Sequence, residues 1–272
     1  MLMAVPAAAA QSREAVLRDR QAFATWLTTG STSPYAVLTQ RAIGPGLSLG
    51  PDGADVPLER IPLHRIIERD GVAHLEGSGN TRPLPRYRPV PLGAYRIRVA
   101  GPARRAVVTI YAPAPRNAKP PSWYEYDPTM VLTVGLSPAA NPRARRLLAA
   151  DGLEAEAVDA GKVSVTVGGA TTRLQVFRIP EPSGEESDLE IYFRDGTSEN
   201  GTYPAGRFVT LEPLGGDRYR LDFNRARNPF CAYNTAFACP LPWRGNSLPA
   251  AIKAGEKYTG GGLTPAKLDP PR

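Results

Sequence analysis

The sequence is poor in the side chains that build metal centres and nucleophile–base pairs. Of its 272 residues, two are cysteine and two are histidine. His64 and His74 lie far along the chain from Cys231 and Cys239, and two thiolates alone do not complete the four ligands of a structural zinc site. Phosphate loops, dinucleotide-binding glycine patterns and calcium loops are also missing. The sequence therefore predicts neither a metal site nor a cofactor.

Long apolar runs are missing as well. No stretch approaches the ~20 apolar residues that a membrane-spanning helix needs, so we predict no transmembrane span. Residues 1–12 form a short apolar run that ends in small residues, as in the hydrophobic part and cleavage site of a secretory signal. This run favours a signal-peptide remnant and a secreted or periplasmic protein. A disordered alanine-rich tail is the alternative, because the basic residues that open a signal are absent.

Basic residues outnumber acidic ones by 33 to 26, which gives a net charge of +7. Such a balance can indicate a nucleic acid, an anionic lipid or an acidic ligand as partner. The densest basic clusters are only residues 104–105 and 143–146, and no RNA-binding aromatic motif accompanies them. The pattern therefore favours a solvated basic surface and no nucleic-acid partner.

Turn-forming residues are abundant and set the fold class. The 29 prolines and 26 glycines suit many short strands joined by tight turns, because proline fixes φ and glycine supplies positive φ. Val16, Phe23, Trp26 and Leu27 recur at helical spacing, which predicts one short N-terminal helix. From residue 35 onward, short alternating runs separated by turns predict an antiparallel sandwich or barrel. We therefore predict a mainly β fold with two β subdomains and no parallel, doubly wound sheet.

Composition shifts along the chain suggest its organisation. Two proline-rich stretches near residues 112–121 indicate a linker, and residues 142–149 predict a short helix within the second β subdomain. Three consecutive glycines and a final Pro-Pro pair predict a loose tail. The predicted segments are a signal remnant at 1–12, a helix at 13–30, an N-terminal β subdomain at 34–112, the linker at 113–128, a C-terminal β domain at 129–258 and the tail at 259–272.

Polar side chains gather between residues 193 and 257. An unpaired buried polar group costs about 1–3 kcal/mol, so this block implies either an interlocked hydrogen-bond network or a binding site. Our leading hypothesis is a rim that binds a small anionic or polar ligand. Its candidate ligand-binding residues are Arg194, Arg207, Thr202, Tyr203, Asn224, Asn228, Tyr233 and Lys257.

The two arginines of this set bracket a turn between the predicted strands 189–193 and 208–211. Paired guanidinium groups bind carboxylates and phosphates bidentately, so Arg194 and Arg207 are candidate anion contacts. Pairing with Asp195 and Asp222 as structural struts is the other interpretation, and the favoured one.

Three carboxylates of the block are candidate catalytic residues. Asp195, Asp222 and Glu256 could serve as general acid and base if the pKa of one is raised, which makes a hydrolase the second hypothesis. A structural or envelope interaction protein without a pocket is the third.

The two cysteines stand eight residues apart in the same block. In an exported protein, Cys231 and Cys239 could form a disulfide that closes a tight loop, which is worth roughly 2–3 kcal/mol. Free buried thiols and metal ligation are the alternatives.

The block also carries a set of short motifs. It contains F-R-D-x-T at 193–197, T-Y-x-x-G-R at 202–207, L-D-F-N at 221–224, N-P-x-C-A-Y-N at 228–234, C-P-x-P at 239–242, N-x-L at 246–248 and A-G-E-K at 254–257. These motifs closely resemble the family known as domain of unknown function 1684, and residues 123–128 resemble its upstream aromatic-Asp-Pro element. The resemblance implies no biochemical role.

The N-terminal subdomain shows a fainter resemblance. The segments 52–58 and 77–81, together with His64, are similar to a forkhead-associated domain. Pro45 and Ile61 stand where that family has its phosphate-contacting Arg and its Ser. The resemblance therefore implies a β-sandwich shape and not phosphothreonine binding.

Overall fold

The computed structural model describes residues 7–180, 187–198, 200–240, 243 and 245–258. Residues 1–6 of the predicted signal remnant and the whole of the predicted tail at 259–272 lie outside these ranges. Strands make up 46% of the structure and helices 13%. The prediction of a mainly β fold is therefore confirmed.

The chain begins with helix α1, Ala7–Thr29, which starts earlier than the predicted residue 13. Val16, Phe23 and Leu27 form its buried face, at the spacing expected of an amphipathic helix. Arg20 lies on this same face and is also buried, so its positively charged side chain lies among apolar neighbours. Among the described residues, no helix is long and apolar enough to cross a membrane.

Nine strands follow and form the N-terminal sandwich. A four-stranded sheet with the order β1-β9-β8-β7 packs on a five-stranded sheet with the order β3-β2-β4-β5-β6. Leu49, Ile66, Ile97 and Ile110 lie fully buried in the core that the two sheets share. The strands are β1 (Val37–Ala42), β2 (Leu47–Gly50), β3 (Val56–Pro57), β4 (His64–Arg69), β5 (Val72–Gly77), β6 (Asn80–Pro83), β7 (Val90–Leu92), β8 (Tyr95–Ala100) and β9 (Val107–Tyr111).

Seven further strands form the C-terminal sheet, and six of them close into a barrel. They are β10 (Val131–Pro138), β11 (Ala144–Leu148), β12 (Glu154–Val167), β13 (Ala170–Pro180), β14 (Ser187–Phe193), β15 (Arg207–Gly215) and β16 (Arg218–Asp222). Their order is β10-β16-β15-β14-β13-β12-β11. An additional pairing of β10 with β12, which sets Leu136 opposite Val163, closes six strands into an antiparallel barrel.

Strand β11 corrects the sequence prediction of a helix at 142–149. It pairs with the first half of β12 outside the closed ring, with Arg145 opposite Ala157. Arg145 and Arg146 are exposed on this edge, and long cations are common on edge strands because they discourage pairing with other chains. The tertiary pairing therefore decides the conformation of this segment.

The barrel interior is a continuous apolar core. Val163 and Val165 of β12 and Leu174 and Val176 of β13 point inward and are fully buried, whereas the residues between them face outward. Residues of the motif block cap one end of this core, namely Phe223, Ala226, Leu248, Ile252 and Ala254. A functional site must therefore be sought on the outer surface and not inside the barrel.

The segment predicted as a linker runs beside the end of the motif block. Lys257 donates its backbone N–H to Ser122 at 2.8 Å, and Tyr124 donates to Gly255 at 2.9 Å. Gly255 has φ +77°, and a Cβ at this position would lie 2.6 Å from the Phe223 carbonyl oxygen. The close approach explains why glycine occupies the second position of A-G-E-K.

Candidate functional site

Arg207 opens β15 and its side chain is fully buried. Its Nη2 donates to Asp195 Oδ2 at 2.9 Å and to the Ile252 carbonyl at 3.0 Å. Its Nη1 donates to the carbonyls of Ala254 and Glu256. Burial lowers the pKa of Arg207, and the neighbouring Asp195 carboxylate opposes that shift. This geometry corresponds to the strut alternative for Arg207, since the guanidinium does not reach the surface.

Asp195 is the centre of a second group of contacts. Its Oδ1 accepts hydrogen bonds from the backbone N–H of Thr197 at 2.7 Å and of Ile252 at 3.1 Å, and from the Thr197 hydroxyl. The Thr197 hydroxyl also lies 2.9 Å from that of Thr202. The structure thus brings Asp195, Thr202 and Arg207 together. Thr197 belongs to the same group, although the sequence did not mark it as a candidate.

Asp222 belongs to a separate group. Its Oδ1 accepts from both the backbone and side-chain N–H of Asn224, each at 2.9 Å. Asn224 in turn exchanges two hydrogen bonds with the backbone of Asp127, and Arg20 donates to the Asn224 carbonyl at 2.9 Å. Burial raises the pKa of Asp222. The predicted pairing of Asp222 with Arg194 or Arg207 is not among these contacts.

Glu256 is the third buried carboxyl group. Its Oε1 accepts from the Tyr233 hydroxyl at 2.5 Å and its Oε2 from the Asn228 N–H at 2.9 Å. Burial raises the pKa of Glu256 to about 7, while these hydrogen bonds and the nearby Arg227 and Arg207 act in the opposite direction. Burial and the Glu256 charge together raise the pKa of Tyr233. Glu256, Tyr233 and Asn228 therefore form one group.

The structure joins Cys231 and Cys239 in a disulfide with a Cα–Cα distance of 5.5 Å. The Tyr203 hydroxyl lies 3.4 Å from Cys231 Sγ and 3.3 Å from Cys239 Sγ, so this candidate packs on the disulfide. Lys257 places its ammonium 5.0 Å from the centre of the Tyr124 ring. Arg194 is half-buried, and its backbone pairs with Asn246 and Leu248.

The three candidate catalytic carboxylates remain in separate groups. Within the described part of the chain, the carboxylate oxygens of Asp195, Asp222 and Glu256 share no hydrogen-bond donor, although Arg207 donates to the Asp195 carboxylate and to the Glu256 backbone carbonyl. Each is almost fully buried, and none lines either of the two clefts described next. The described residues contain no cluster of His, Cys, Asp or Glu suited to a metal ion.

The smaller of two surface clefts lies between α1 and the outer face of β14 and β15. It has a volume of about 680 Å³. Helix α1 contributes Phe23 and Trp26, the barrel contributes Phe208, and the motif block contributes Arg227 and Phe230. We name this space the helix cleft.

Arg227 lines the helix cleft and was absent from the sequence-based candidates. Its Cζ lies 4.2 Å from the centre of the Phe23 ring, and its backbone exchanges two hydrogen bonds with Phe208. Burial lowers the pKa of Arg227, and Glu256 and Tyr233 oppose this shift. Among the described residues, its guanidinium makes neither a hydrogen bond nor an ion pair. The sequence signal was its place in R-A-R between two recognised motifs.

The neighbouring Arg225 is different. It forms ion pairs with Asp19, with Glu212 at 3.3 Å and with Asp222 at 3.6 Å. Its charge is therefore balanced by the protein itself. The contrast leaves Arg227 as the cation of the R-A-R segment that an added anion could meet.

The larger cleft, which we name the junction cleft, lies between the sandwich and the barrel. Its volume is about 880 Å³. Two ion pairs span it, Arg98–Asp151 at 3.0 Å and Arg105–Glu154 at 2.9 Å. Trp26, Ala150, Glu190 and Phe230 line both clefts, so the two clefts share this wall.

Comparison with known proteins places the chain in a family. The model of a family described as "Protein of unknown function (DUF1684)" matches residues 120–257. The chain belongs to this family. The DUF1684 match covers the barrel and the whole motif block, which confirms the resemblance drawn from the motifs. No activity accompanies the DUF1684 description.

Two further comparisons add no function. A search of curated proteins finds no match to this DUF1684 chain. Among solved structures, the solution NMR structure of an uncharacterized protein of Haloarcula marismortui is 31% identical to it. That alignment covers 51% of this chain and 76% of the other, with a TM-score of 0.44.

Proposed function

We propose that this protein is an exported module that binds a small anionic ligand in the helix cleft, with Arg227 as the main contact. One observation carries the proposal: Arg227 lines the cleft, and among the described residues its guanidinium lies over the Phe23 ring and makes neither a hydrogen bond nor an ion pair. The proposal moves the expected site away from Arg207, whose guanidinium is buried against Asp195. Export rests on the apolar run at 1–12 and agrees with the disulfide.

Carboxylates of Asp19, Glu190 and Glu212 also line the helix cleft. Asp19 and Glu212 pair with Arg225, however, so anion binding would depend on Arg227 itself. A guanidinium group binds carboxylate or phosphate with two parallel charge-assisted hydrogen bonds. Partial burial strengthens such a contact, because less water competes for the donors. The Phe23 ring beneath the guanidinium holds its plane in place, which lowers the entropy lost on binding. Trp26 and Phe208 supply the apolar walls that small-molecule sites commonly have.

The hydrolase alternative has less support. It needs a carboxylate that can reach a substrate, whereas Asp195, Asp222 and Glu256 are buried and engaged by their own donors. If no small anion binds, the third hypothesis, a structural or envelope interaction protein, is the one that we favour.

Isothermal titration calorimetry with sodium acetate and with inorganic phosphate tests the proposal. Arg227→Met keeps the apolar stem on Phe23 and removes the charge, so we expect anion affinity to fall by at least about tenfold. Arg173→Met, on the exposed outer face of β13, is the matched control and should bind as the wild type does. Equal binding by Arg227→Met and wild type, or no binding of either anion to the wild type, contradicts the proposal.

A further inference from the structure

We infer that the natural ligand is an amphipathic molecule with a single anionic head group, whose alkyl chain extends from Arg227 past Trp26 and Phe230 into the junction cleft. This inference rests on the proposed function and names its ligand class. The two clefts are neighbours, since Trp26 and Phe230 line both of them. The alkyl chain would lie along these two rings, from Arg227 toward the larger volume.

Aromatic rings form part of the wall between the clefts, which also includes Glu190. The Trp26 and Phe230 rings lie with their centroids 5.8 Å apart, and Phe230 packs edge-on against Phe237 at 5.5 Å. The Phe230 N–H donates to the Ala150 carbonyl at 2.8 Å, which satisfies the backbone at this point. An apolar chain along the wall thus displaces no hydrogen bond of the Phe230 backbone.

Charge in the junction cleft disfavours a second anionic group there. Arg98 and Arg105 are already paired with Asp151 and Glu154. Arg146 stands directly opposite Glu156 in the β11–β12 register, where opposite charges attract. The cleft is also lined by Asp188. One anionic head at Arg227 and an uncharged chain beyond it match this distribution.

The volumes fit such a ligand. Pockets for small organic molecules commonly enclose about 300–1,000 Å³, and each of the two clefts falls within that range. The head group can be a carboxylate or a phosphate, since a guanidinium group donates hydrogen bonds to either. The shared chemistry is one anionic head on an alkyl chain.

A chain-length series on the full protein tests the inference. Calorimetric titration with acetate, octanoate and dodecanoate should show affinity rising by about fourfold for each methylene that becomes fully buried. Octyl and dodecyl phosphate form a parallel series, and whichever series binds more tightly identifies the head group. Dodecanol, which lacks the anion, should bind more weakly than dodecanoate.

A variant that fills the junction cleft tests where the alkyl chain of the ligand binds. Ala155 lines only the junction cleft, so Ala155→Trp should abolish the gain with chain length while leaving acetate binding unchanged. Ala144→Trp, on the exposed part of β11, is the matched control and should keep the gain.

The possible failures are distinct. Equal affinity for acetate and dodecanoate overturns the inference but leaves the proposed function standing. A chain-length gain that survives Ala155→Trp also overturns it, because the alkyl chain then lies elsewhere. If Ala155→Trp unfolds the protein, the wild-type series with dodecanol still decides between an amphipathic anion and a small one. Absence of binding by acetate, phosphate and the longer anions contradicts the proposed function itself.

Discussion

At the residue scale, the motif block is held together by buried charges that are compensated in different ways. Arg207 and Asp195 form an ion pair in which both side chains are buried, and backbone carbonyls complete the guanidinium's contacts. Removing one partner of such a pair commonly costs about 3–5 kcal/mol, because the other charge stays buried. Glu256 has no ion pair among the described residues and depends on Tyr233 and Asn228 instead.

The Glu256 carboxyl predicts a pH-dependent stability. Its folded-state pKa of about 7 lies above its usual value of 4.5, so folding favours the protonated form. The stabilising contribution is complete below about pH 4.5 and is lost as the pH rises through 7, by roughly 3 kcal/mol in total. The free energy of unfolding of the wild type, minus that of Glu256→Gln, should therefore decrease from about pH 5 to about pH 8.

Urea denaturation at several pH values measures this difference. Subtracting the variant removes the contribution of Asp222, whose pKa is raised in the same direction and is present in both proteins. A difference that stays constant across the range would show that Glu256 does not titrate there.

At the scale of elements, Arg20 is one of several side chains of α1 that contact the motif block. Arg20 donates to the Tyr124 carbonyl at 2.9 Å and to the Asn224 carbonyl at 2.9 Å, and it lies over the Trp123 ring. These contacts near the middle of α1 hold the helix in place on one side of the helix cleft.

Replacing Arg20 should loosen this helix. Arg20→Met removes both hydrogen bonds and the cation–π contact, so we expect a loss of about 1–3 kcal/mol in the free energy of unfolding and faster amide exchange in α1. Arg18→Met is the control, because the Arg18 side chain is 71% exposed on the same helix. Hydrogen exchange measured by mass spectrometry compares the two variants, and equal exchange in both would contradict the anchoring role.

At the scale of the whole molecule, the sandwich and the barrel meet through contacts of unequal burial. The Arg98–Asp151 pair is 13% and 15% exposed, whereas the Arg105–Glu154 pair is 41% and 45% exposed. The side-chain amide of Asn234 adds hydrogen bonds from the motif block to the carbonyls of Pro34 at 2.9 Å and Val37 at 2.8 Å.

The two ion pairs offer a matched comparison of this junction. Asp151→Asn should lower the free energy of unfolding by about 1–3 kcal/mol, because it leaves Arg98 partly buried without its counterion. Glu154→Gln should cost less than about 1 kcal/mol, since water and salt screen the exposed pair. Urea denaturation of both variants checks the order, and a larger effect of Glu154→Gln would contradict it.

The strands were predictable because alternation is a local signal. Runs such as Val163–Val167 and Tyr95–Ala100 carry their own inward and outward pattern. Closure of the barrel was not predictable, since it depends on pairing β10 with β12 across intervening chain. Residues 142–149 were predicted wrongly for the same reason, as pairing with β12 overrides the local helical preference.

The candidate site was predictable in composition but not in geometry. The sequence marks the polar block, yet the choice between strut and ligand contact for Arg207 depends on carbonyls more than 40 residues downstream. Arg227 was missed because two properties make it a candidate: its guanidinium has no hydrogen-bond or ion-pair partner among the described residues, and Phe23 of α1 packs beside it. Both properties arise only when distant segments are assembled.

The dependence of Arg207 on residues 252–256 has a consequence for synthesis on the ribosome. The guanidinium belongs to β15, but its carbonyl acceptors are residues 45, 47 and 49 positions later in the chain. Until those residues leave the exit tunnel, a nascent barrel would have to bury a cation whose carbonyl acceptors have not yet emerged. We therefore expect the barrel to complete its folding only after the A-G-E-K segment emerges, with the nascent strands exposed to chaperones until then.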